Sequence, residues 1–256
     1  MTKIRKPRSF LRVGAAVLLW LSTLSFPAPV EAANALVQSK LAEKTNGAPS
    51  ASIAATFTTN VAAGNLIAVW IIWGDTGKTV SITDSLGNTY ESAHSNAAVR
   101  FEGFYAKNIT GGANTVTATF SASITAFHTL IVHEISGADT TAPLGQAASQ
   151  TQINVSGVDS VSSTAVTTTT NGEYIFGATL RSDTLDGSFS AGTGYTGRET
   201  SSGGTFLVTR SEDQIQTSAG SIAATFTPSV AMEVATMIMT FKAASAATAA
   251  RRRVIN

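Results

Sequence analysis

An alternating strand pattern recurs three times along the chain and narrows the folds open to it. The segment SIAATFT occurs at 52–58 and again at 221–227, and TVTATFS at 115–121 is a close variant. In the first copy every second residue from Ile53 to Phe57 is apolar, while small or hydroxyl side chains occupy the positions between. A period of two residues is typical of a half-buried antiparallel β-strand.

Each copy continues through a polar turn into a second run that is more continuously apolar. Extended in this way, the copies cover 52–72, 115–135 and 221–241, and their Ala-Thr-Phe cores are 63 and 106 residues apart. Unequal spacing argues against a solenoid or a propeller, which repeat at a fixed period. We interpret the pattern as a two-strand unit used several times within one sandwich. The alternative is coincidence in a composition rich in Ala and Thr.

Turn signals separate the remaining strand-like runs. Gly, Asn and Asp in segments such as GDTGK (74–78) and DSLGNTY (84–90) favour tight turns. The run LIAVWIIW at 66–73 is apolar on both faces, so it predicts a central strand whose second face is covered by a loop or by another subunit. The pattern predicts an all-β fold, a single antiparallel β-sandwich that is jelly-roll or immunoglobulin-like. LVQSKLAEK at 36–44 is the one segment of the mature chain that we predict to be a short helix.

The first residues follow the order of a secretory signal peptide. Five basic residues precede the apolar run Val13–Phe26, and small residues suited to cleavage follow it. We predict a signal peptide at 1–32, a β-sandwich domain at 33–243 and a flexible basic C-terminal tail at 244–256 that contains Arg251–Arg253. The predicted location is secreted, extracellular or cell-surface, with the periplasm or an uncleaved N-terminal anchor as the alternatives.

The charge balance excludes several classes of partner. Residues 33–256 carry 12 basic and 15 acidic side chains, a net charge of −3, without a basic stripe before the tail. Nucleic-acid binding and docking on an anionic membrane are therefore not predicted, nor is a membrane span in the mature chain. The chain has no cysteine, so core burial rather than disulfides must stabilise an exported fold. A polysaccharide or another surface protein is the predicted partner, with self-association as the alternative.

Five segments together resemble a known group of domains. They are AAGNLIAVWIIWG at 62–74, SITDSLGNTY at 81–90, FYAKNITGGANTVTATFS at 104–121, HEISGADTTAPL at 133–144 and the closing MTFKA at 239–243. They are similar to a group of mostly uncharacterised secreted bacterial β-sandwich domains with the pattern AGNLL, SVTDSxGNTY, YAKNIxGGxNTVTVTFS and EYSGxD. The resemblance implies a jelly-roll or immunoglobulin-like extracellular sandwich and carries over no catalytic residue. Gln146 stands where the group often has Asp.

Oxygen ligands in two turns make calcium the favoured metal candidate. The candidate ligands are Asp84 and Asn88 in one turn and Asp183 and Asp186 in another. The alternative is that these residues only shape their turns. No organic cofactor is predicted, because GTGYTG at 192–197 is not followed by a helix-forming segment.

Trp70 and Trp73 are the candidate ligand-binding residues. Three positions apart on a strand, they must point to opposite faces, and an exposed aromatic ring could stack on a sugar. The alternative is that both are covered. His128 and His133 are likewise predicted on opposite faces, which argues against one metal held by both.

No catalytic residues are predicted. The carboxylates available for glycoside hydrolysis show no spacing that would bring them together, and they are Glu102, Glu134, Glu173, Glu199 and Glu212. The leading hypothesis is an exported, non-catalytic module that binds a carbohydrate or a surface, or is structural. The alternatives are a carbohydrate-active enzyme, a glycoside hydrolase or lyase, on the same scaffold and a self-associating surface protein.

Overall fold

The computed structural model describes residues 33–44, 49–155, 159–181, 187–201 and 208–245, and they form eighteen β-strands and no helix. The predicted signal peptide and nearly all of the predicted tail lie outside these ranges, so both stay predictions. Within the described ranges, nothing helical is long and apolar enough to cross a lipid bilayer. The strands are, in chain order, β1 (Ala35–Lys44), β2 (Ser50–Thr56), β3 (Leu66–Trp73), β4 (Val80–Asp84), β5 (Glu91–Asn96), β6 (Phe101–Ala106), β7 (Thr115–Ile124), β8 (His128–Ser136), β9 (Leu144–Val155), β10 (Val161–Ser162), β11 (Val166–Thr167), β12 (Glu173–Arg181), β13 (Phe189–Ala191), β14 (Thr196–Thr200), β15 (Val208–Gln216), β16 (Ser221–Ile222), β17 (Thr225–Pro228) and β18 (Met232–Phe241).

The strands form two large five-stranded sheets, two small three-stranded sheets and one two-stranded sheet, all of them antiparallel. The first large sheet has the order β1-β8-β3-β6-β5, and the small sheet β2-β7-β4 packs against it. The second large sheet has the order β9-β18-β12-β15-β14, with the small sheet β10-β17-β13 and the short pair β11-β16. This confirms the all-β, antiparallel sandwich architecture predicted from the alternation.

The two halves of the chain, β1–β8 and β9–β18, repeat one topology. Replacing β1 by β9, β8 by β18, β3 by β12, β6 by β15 and β5 by β14 converts the first large sheet into the second, and the small sheets correspond in the same way. A register shift interrupts the β1–β8 pairing just after Leu36, and another interrupts the β9–β18 pairing just after Leu144. Gly64 before β3 and Gly172 before β12 both have positive φ, 85° and 76°. The second and third copies of the recurring sequence are therefore equivalent, as β7–β8 and β17–β18.

The four sheets stack as layers around three cores. One core lies between the first small and large sheets, another lies between the two large sheets, and a third lies between the second large and small sheets. The edge strands β1 and β14 are in contact across the stack, as are β5 and β9 at the opposite edge. The halves thus share the middle core, which buries apolar side chains from both.

Strand β3 shows how this stacking follows from the sequence. All eight of its residues are buried: Ile67, Val69, Ile71 and Trp73 face the first core, and the alternate residues face the middle core. The second face of this apolar run is covered by the other half of the same chain, rather than by a loop or a separate subunit.

The predicted helix at Leu36–Lys44 is wrong, because these residues lie in β1. Strand β1 pairs with β8 over nearly its whole length, from Ala35–Ser136 to Lys44–His128. Leu36 and Leu41 pack against the middle core. Pairing with a long neighbouring strand supplies the backbone hydrogen bonds that a helix would otherwise supply, so tertiary context overrides local propensity.

Candidate functional site

The two tryptophans predicted to bind a ligand lie in two different cores. Trp70 packs against Phe101 in the middle core with ring centroids 6.1 Å apart, and Trp73 packs against Phe120 in the first core at 5.8 Å. Their placement on opposite faces is confirmed. They are 0% and 3% exposed, so neither ring offers a face to a ligand from solution.

The Asp84 turn is built from hydrogen-bond donors. The carboxylate accepts bonds from the backbone N–H of Leu86 and Asn88 at 3.1 and 3.0 Å. It also accepts bonds from three side chains at 2.7–3.0 Å, those of Asn88, Tyr90 and Asn114. Desolvation raises the pKa of Asp84, but these donors together outweigh it and hold the pKa below its usual value. Donors that point at both oxygens take the lone pairs that a cation would need, so Asp84 and Asn88 act as a turn organiser.

The second calcium turn, with Asp183 and Asp186, lies outside the described residues. Among the residues that are described, no group of three or more His, Cys, Asp or Glu side chains is placed to hold a metal ion.

Three of the five glutamates considered for catalysis are held by hydrogen bonds from the backbone, and they are Glu134, Glu173 and Glu212. Glu134 and Glu173 are buried and hold the loops that precede the central strands: Glu134 accepts a bond from the backbone N–H of Ala62 at 2.8 Å, and Glu173 accepts one from Thr170 at 3.1 Å. Glu212 is buried on β15, on the face opposite to that of Asp213, and it accepts hydrogen bonds from the backbone N–H groups of Gly192 and Thr225. These carboxylates are engaged by the fold itself.

A polar cleft opens at the edge where β1 of the first half meets β14 and β15 of the second. Its volume is about 410 Å³, within the range of small-molecule sites. It is lined by Asn34, Ala35, Leu36, Tyr174, Gly194, Thr196, Arg198, Asp213, Gln214 and Ile215. All of these residues are described, and they come from both halves of the chain.

Asp213 is the fixed polar centre of the cleft. Its Oδ1 accepts a bond from Arg198 Nε at 2.8 Å and its Oδ2 accepts one from the Tyr174 hydroxyl at 2.7 Å. The Asp213 side chain is 4% exposed and that of Arg198 is 32% exposed, so the ion pair runs from the floor of the cleft to solvent. A charge-assisted pair held at both ends gives the cleft a preorganised polar floor.

A buried chain of hydrogen bonds holds this floor from behind. Since Tyr174 donates its proton to Asp213, its oxygen accepts from His133 Nδ1 at 2.9 Å. His133 Nε2 then accepts from the Ser211 hydroxyl at 3.0 Å, and Ser211 Oγ accepts from the backbone N–H of Glu199 at 3.1 Å. The geometry therefore assigns the neutral Nδ1–H tautomer to His133.

The pKa shifts within this hydrogen-bonded network agree with the neutral tautomer of His133. Complete burial, followed by the nearby Arg198 charge, lowers the pKa of His133 to about 3. Burial, the Asp213 charge and the hydrogen bond to Asp213 raise the pKa of Tyr174 well above its usual value. His133 and Tyr174 therefore both stay neutral at physiological pH.

The corresponding place in the other half of the fold is filled. In the repeat, Ala68 of β3 corresponds to Phe176 of β12, and their strand partners are Tyr105 and Asp213. The Tyr105 ring packs on Phe241 at 5.9 Å, and its hydroxyl donates to Glu91 at 2.7 Å. Tyr105 and Asp213 are thus equivalent positions. In the second half the Asp213 carboxylate stands in place of the tyrosine ring and leaves space there, so the cleft breaks the symmetry between the two halves.

Sequence reasoning missed this site. The available signal was the segment RSEDQ at 210–214, a polar run inside a strand paired on both sides. Charged residues are rarely buried without a partner, so such a run indicates a polar network. The partners Arg198 and Tyr174 lie 15 and 39 residues away and could not be assigned before the pairing was known.

Comparisons of the chain with protein-family models, with curated proteins and with solved structures give no match.

Proposed function

We propose that this chain is an exported, non-catalytic binding module that takes a carbohydrate in the polar cleft between its two halves. The observation that carries the proposal is the Arg198–Asp213–Tyr174 network on the cleft floor, fixed from behind by buried His133. Export rests on the signal-peptide pattern of residues 1–32.

The lining of the cleft suits a ligand rich in hydroxyl groups. Gln214 and Thr196 offer a donor and an acceptor each, beside the Asp213–Arg198 pair. Leu36 and Ile215 supply aliphatic surface that can cover the C–H groups of a sugar ring, and Ile215 is 37% exposed. A few fixed polar groups within a partly apolar lining are typical of specific small-molecule sites.

The carboxylates favour binding over hydrolysis. Glycoside hydrolases use two carboxyl groups that flank the scissile bond. Among the described residues that line the cleft, Asp213 alone carries a carboxylate, and it is held by Arg198 and Tyr174. This supports a module that holds its ligand without cleaving it.

A glycan array and soluble-polysaccharide binding measurements with the purified protein test the proposal. We expect saturable binding that Arg198→Gln weakens at least tenfold, since a hydrogen bond involving a charged group contributes about 1.5–3 kcal/mol. Lys107→Gln is the matched control, because it removes one positive charge from the filled position of the other half, where Lys107 pairs with Glu91 at 2.8 Å.

The outcomes separate the candidate functions. Binding lost with Arg198→Gln and kept with Lys107→Gln supports a carbohydrate-binding module. Release of reducing ends, abolished by a single carboxylate substitution, would show an enzyme instead. No binding to any glycan, with concentration-dependent self-association by sedimentation, would favour the structural surface protein.

A further inference from the structure

We infer that the cleft selects neutral sugar units and rejects acidic ones; this deepens the proposed function and rests on it. The inference comes from the charges and hydrogen-bonding groups of the lining, which differ from those of a site for uronic acids. An acidic sugar is held best where unpaired cations, above all Arg in bidentate geometry, face its carboxylate.

The charge balance at the cleft is unfavourable for an anion. The one cation of the lining, Arg198, is already paired with Asp213 at 2.8 Å. Glu199, the next residue along β14, lies outside this lining and accepts a bond from Ser39 of β1 at 2.6 Å. A ligand carboxylate would therefore meet one engaged cation and the Asp213 carboxylate, and like charges in close contact oppose binding.

The hydrogen-bonding groups match hydroxyls rather than a carboxylate. Arg198 donates through Nε to Asp213, and its other N–H groups make no hydrogen bond to a described residue. Asp213 keeps acceptor capacity beside them, because a carboxylate has about four lone-pair sites and two are used here. Two adjacent hydroxyls can donate to the carboxylate and accept from the guanidinium together, whereas a ligand carboxylate can only accept.

Aromatic stacking plays no part in this mode of recognition. Tyr174 is the aromatic residue of the lining and is 1% exposed, with its hydroxyl committed to Asp213 and His133. A ligand is thus held by hydrogen bonds to one or two fixed groups and by the aliphatic side chains of Leu36 and Ile215. Since no net charge is neutralised on binding, the affinity should depend little on salt.

The test compares polysaccharides that differ only at C6. Neutral homopolysaccharides, each paired with its C6-oxidised uronate counterpart, are titrated calorimetrically against the full protein at low and high salt. We expect the neutral member to bind at least about tenfold more tightly than the uronate, with an affinity that salt barely changes. Asp213→Asn, which keeps an acceptor for Arg198 and removes the anion of the lining, should narrow that preference.

Each result has a distinct meaning. Equal or tighter binding of the uronate, weakened by salt, would overturn the selectivity while leaving the carbohydrate-binding function in place. An unchanged preference in Asp213→Asn would also overturn it, because the preference would not come from the charges of the cleft. Binding of neither member would remove the proposed function, and the selectivity with it.

Discussion

At the scale of single residues, buried carboxylates and histidines organise this molecule. A sandwich without cysteines has neither disulfides nor thiolate metal sites to fix its loops, and here carboxylates fix them by accepting backbone N–H groups. Hydrogen bonds to charged groups are stronger than those between neutral ones, and a buried carboxylate is costly unless its bonds are made. These positions should therefore be sensitive to substitution even though they contact no ligand.

Asp84→Ala tests the turn predicted to bind calcium. The variant loses five hydrogen bonds to one carboxylate and should lower the free energy of unfolding by about 2–4 kcal/mol. Wild-type stability should not change between calcium and EDTA. Urea denaturation measures both effects, and Asp139→Ala, at a carboxylate that accepts two backbone N–H groups in an exposed turn, is the control with a smaller loss. A calcium-dependent rise in stability that Asp84→Ala removes would restore the metal interpretation.

Two buried groups, His133 and Glu212, should make the free energy of unfolding depend on pH in opposite directions. Folding lowers the pKa of His133 from 6.5 to about 3. The stability that the folded state gains from a neutral His133 is therefore complete above pH 6.5 and is lost as the pH falls toward 3. Burial raises the pKa of Glu212 from 4.5 to about 7, so its contribution is complete below pH 4.5 and is lost as the pH rises through 7. Between pH 4.5 and 6.5 the two slopes should cancel.

Separate variants should uncover each slope. In Glu212→Gln, stability should fall by about 1.4 kcal/mol per unit as the pH drops from 6.5 to 4.5. In His133→Gln, it should instead rise on the same acidification. Denaturant titrations at several pH values measure this, and slopes of the same sign in both variants would contradict the assignment.

At the scale of elements, the repeat shows which features a strand unit needs. Gly64 and Gly172 occupy equivalent positions before the central strands, both have positive φ, and a Cβ added at either would have nothing within 4 Å. The requirement at these two positions is therefore conformational rather than steric. The register shifts after Leu36 and Leu144 are a second shared feature, and they place the two edge strands in the same way.

Gly64→Ala and Gly172→Ala should each cost about 1–2 kcal/mol, because an L residue is strained in the left-handed region. The double variant should lose the sum, since the two sites share no partners. Gly220→Ala, where the added Cβ would approach nothing closer than 4.0 Å and φ is not in that region, should change stability by less than about 0.5 kcal/mol. Thermal unfolding measures all four proteins, and a strong difference between the two equivalent sites would count against the structural repeat.

At the scale of the whole molecule, the two halves share the middle core, and we expect them to unfold as one unit. Phe176 of the second half and Trp70 of the first are both fully buried in this core. Neither half could bury its large sheet alone, because each would expose a continuous apolar face. The cleft also depends on this packing, since its walls come from both halves.

Phe176→Ala should destabilise both halves together, by about 3–5 kcal/mol. Hydrogen exchange should show protection falling equally in both large sheets, and calorimetry should show a single transition. Phe226→Ala, in the third core of the second half, is the matched control for a buried phenylalanine away from the shared core. Two separate transitions in the wild type would show that the halves fold independently.

Local sequence patterns were enough to predict most of the strands and turns and the two faces of β3. Alternation and turn residues act between near neighbours, so the opposite placement of Trp70 and Trp73 follows from a period of two alone. The predicted helix at Leu36–Lys44 is wrong because the local pattern is weak and the conformation depends on pairing with β8, which lies about 90 residues later.

The pairing of distant segments decided everything else. The cover of β3, the equivalence of the two halves and the joining of Tyr174, Arg198 and Asp213 all require contacts between strands that no local pattern specifies. The cleft is the clearest case, because it exists where Asp213 stands in place of the ring that Tyr105 supplies in the other half. A difference between two equivalent positions becomes visible only after the fold has made them equivalent.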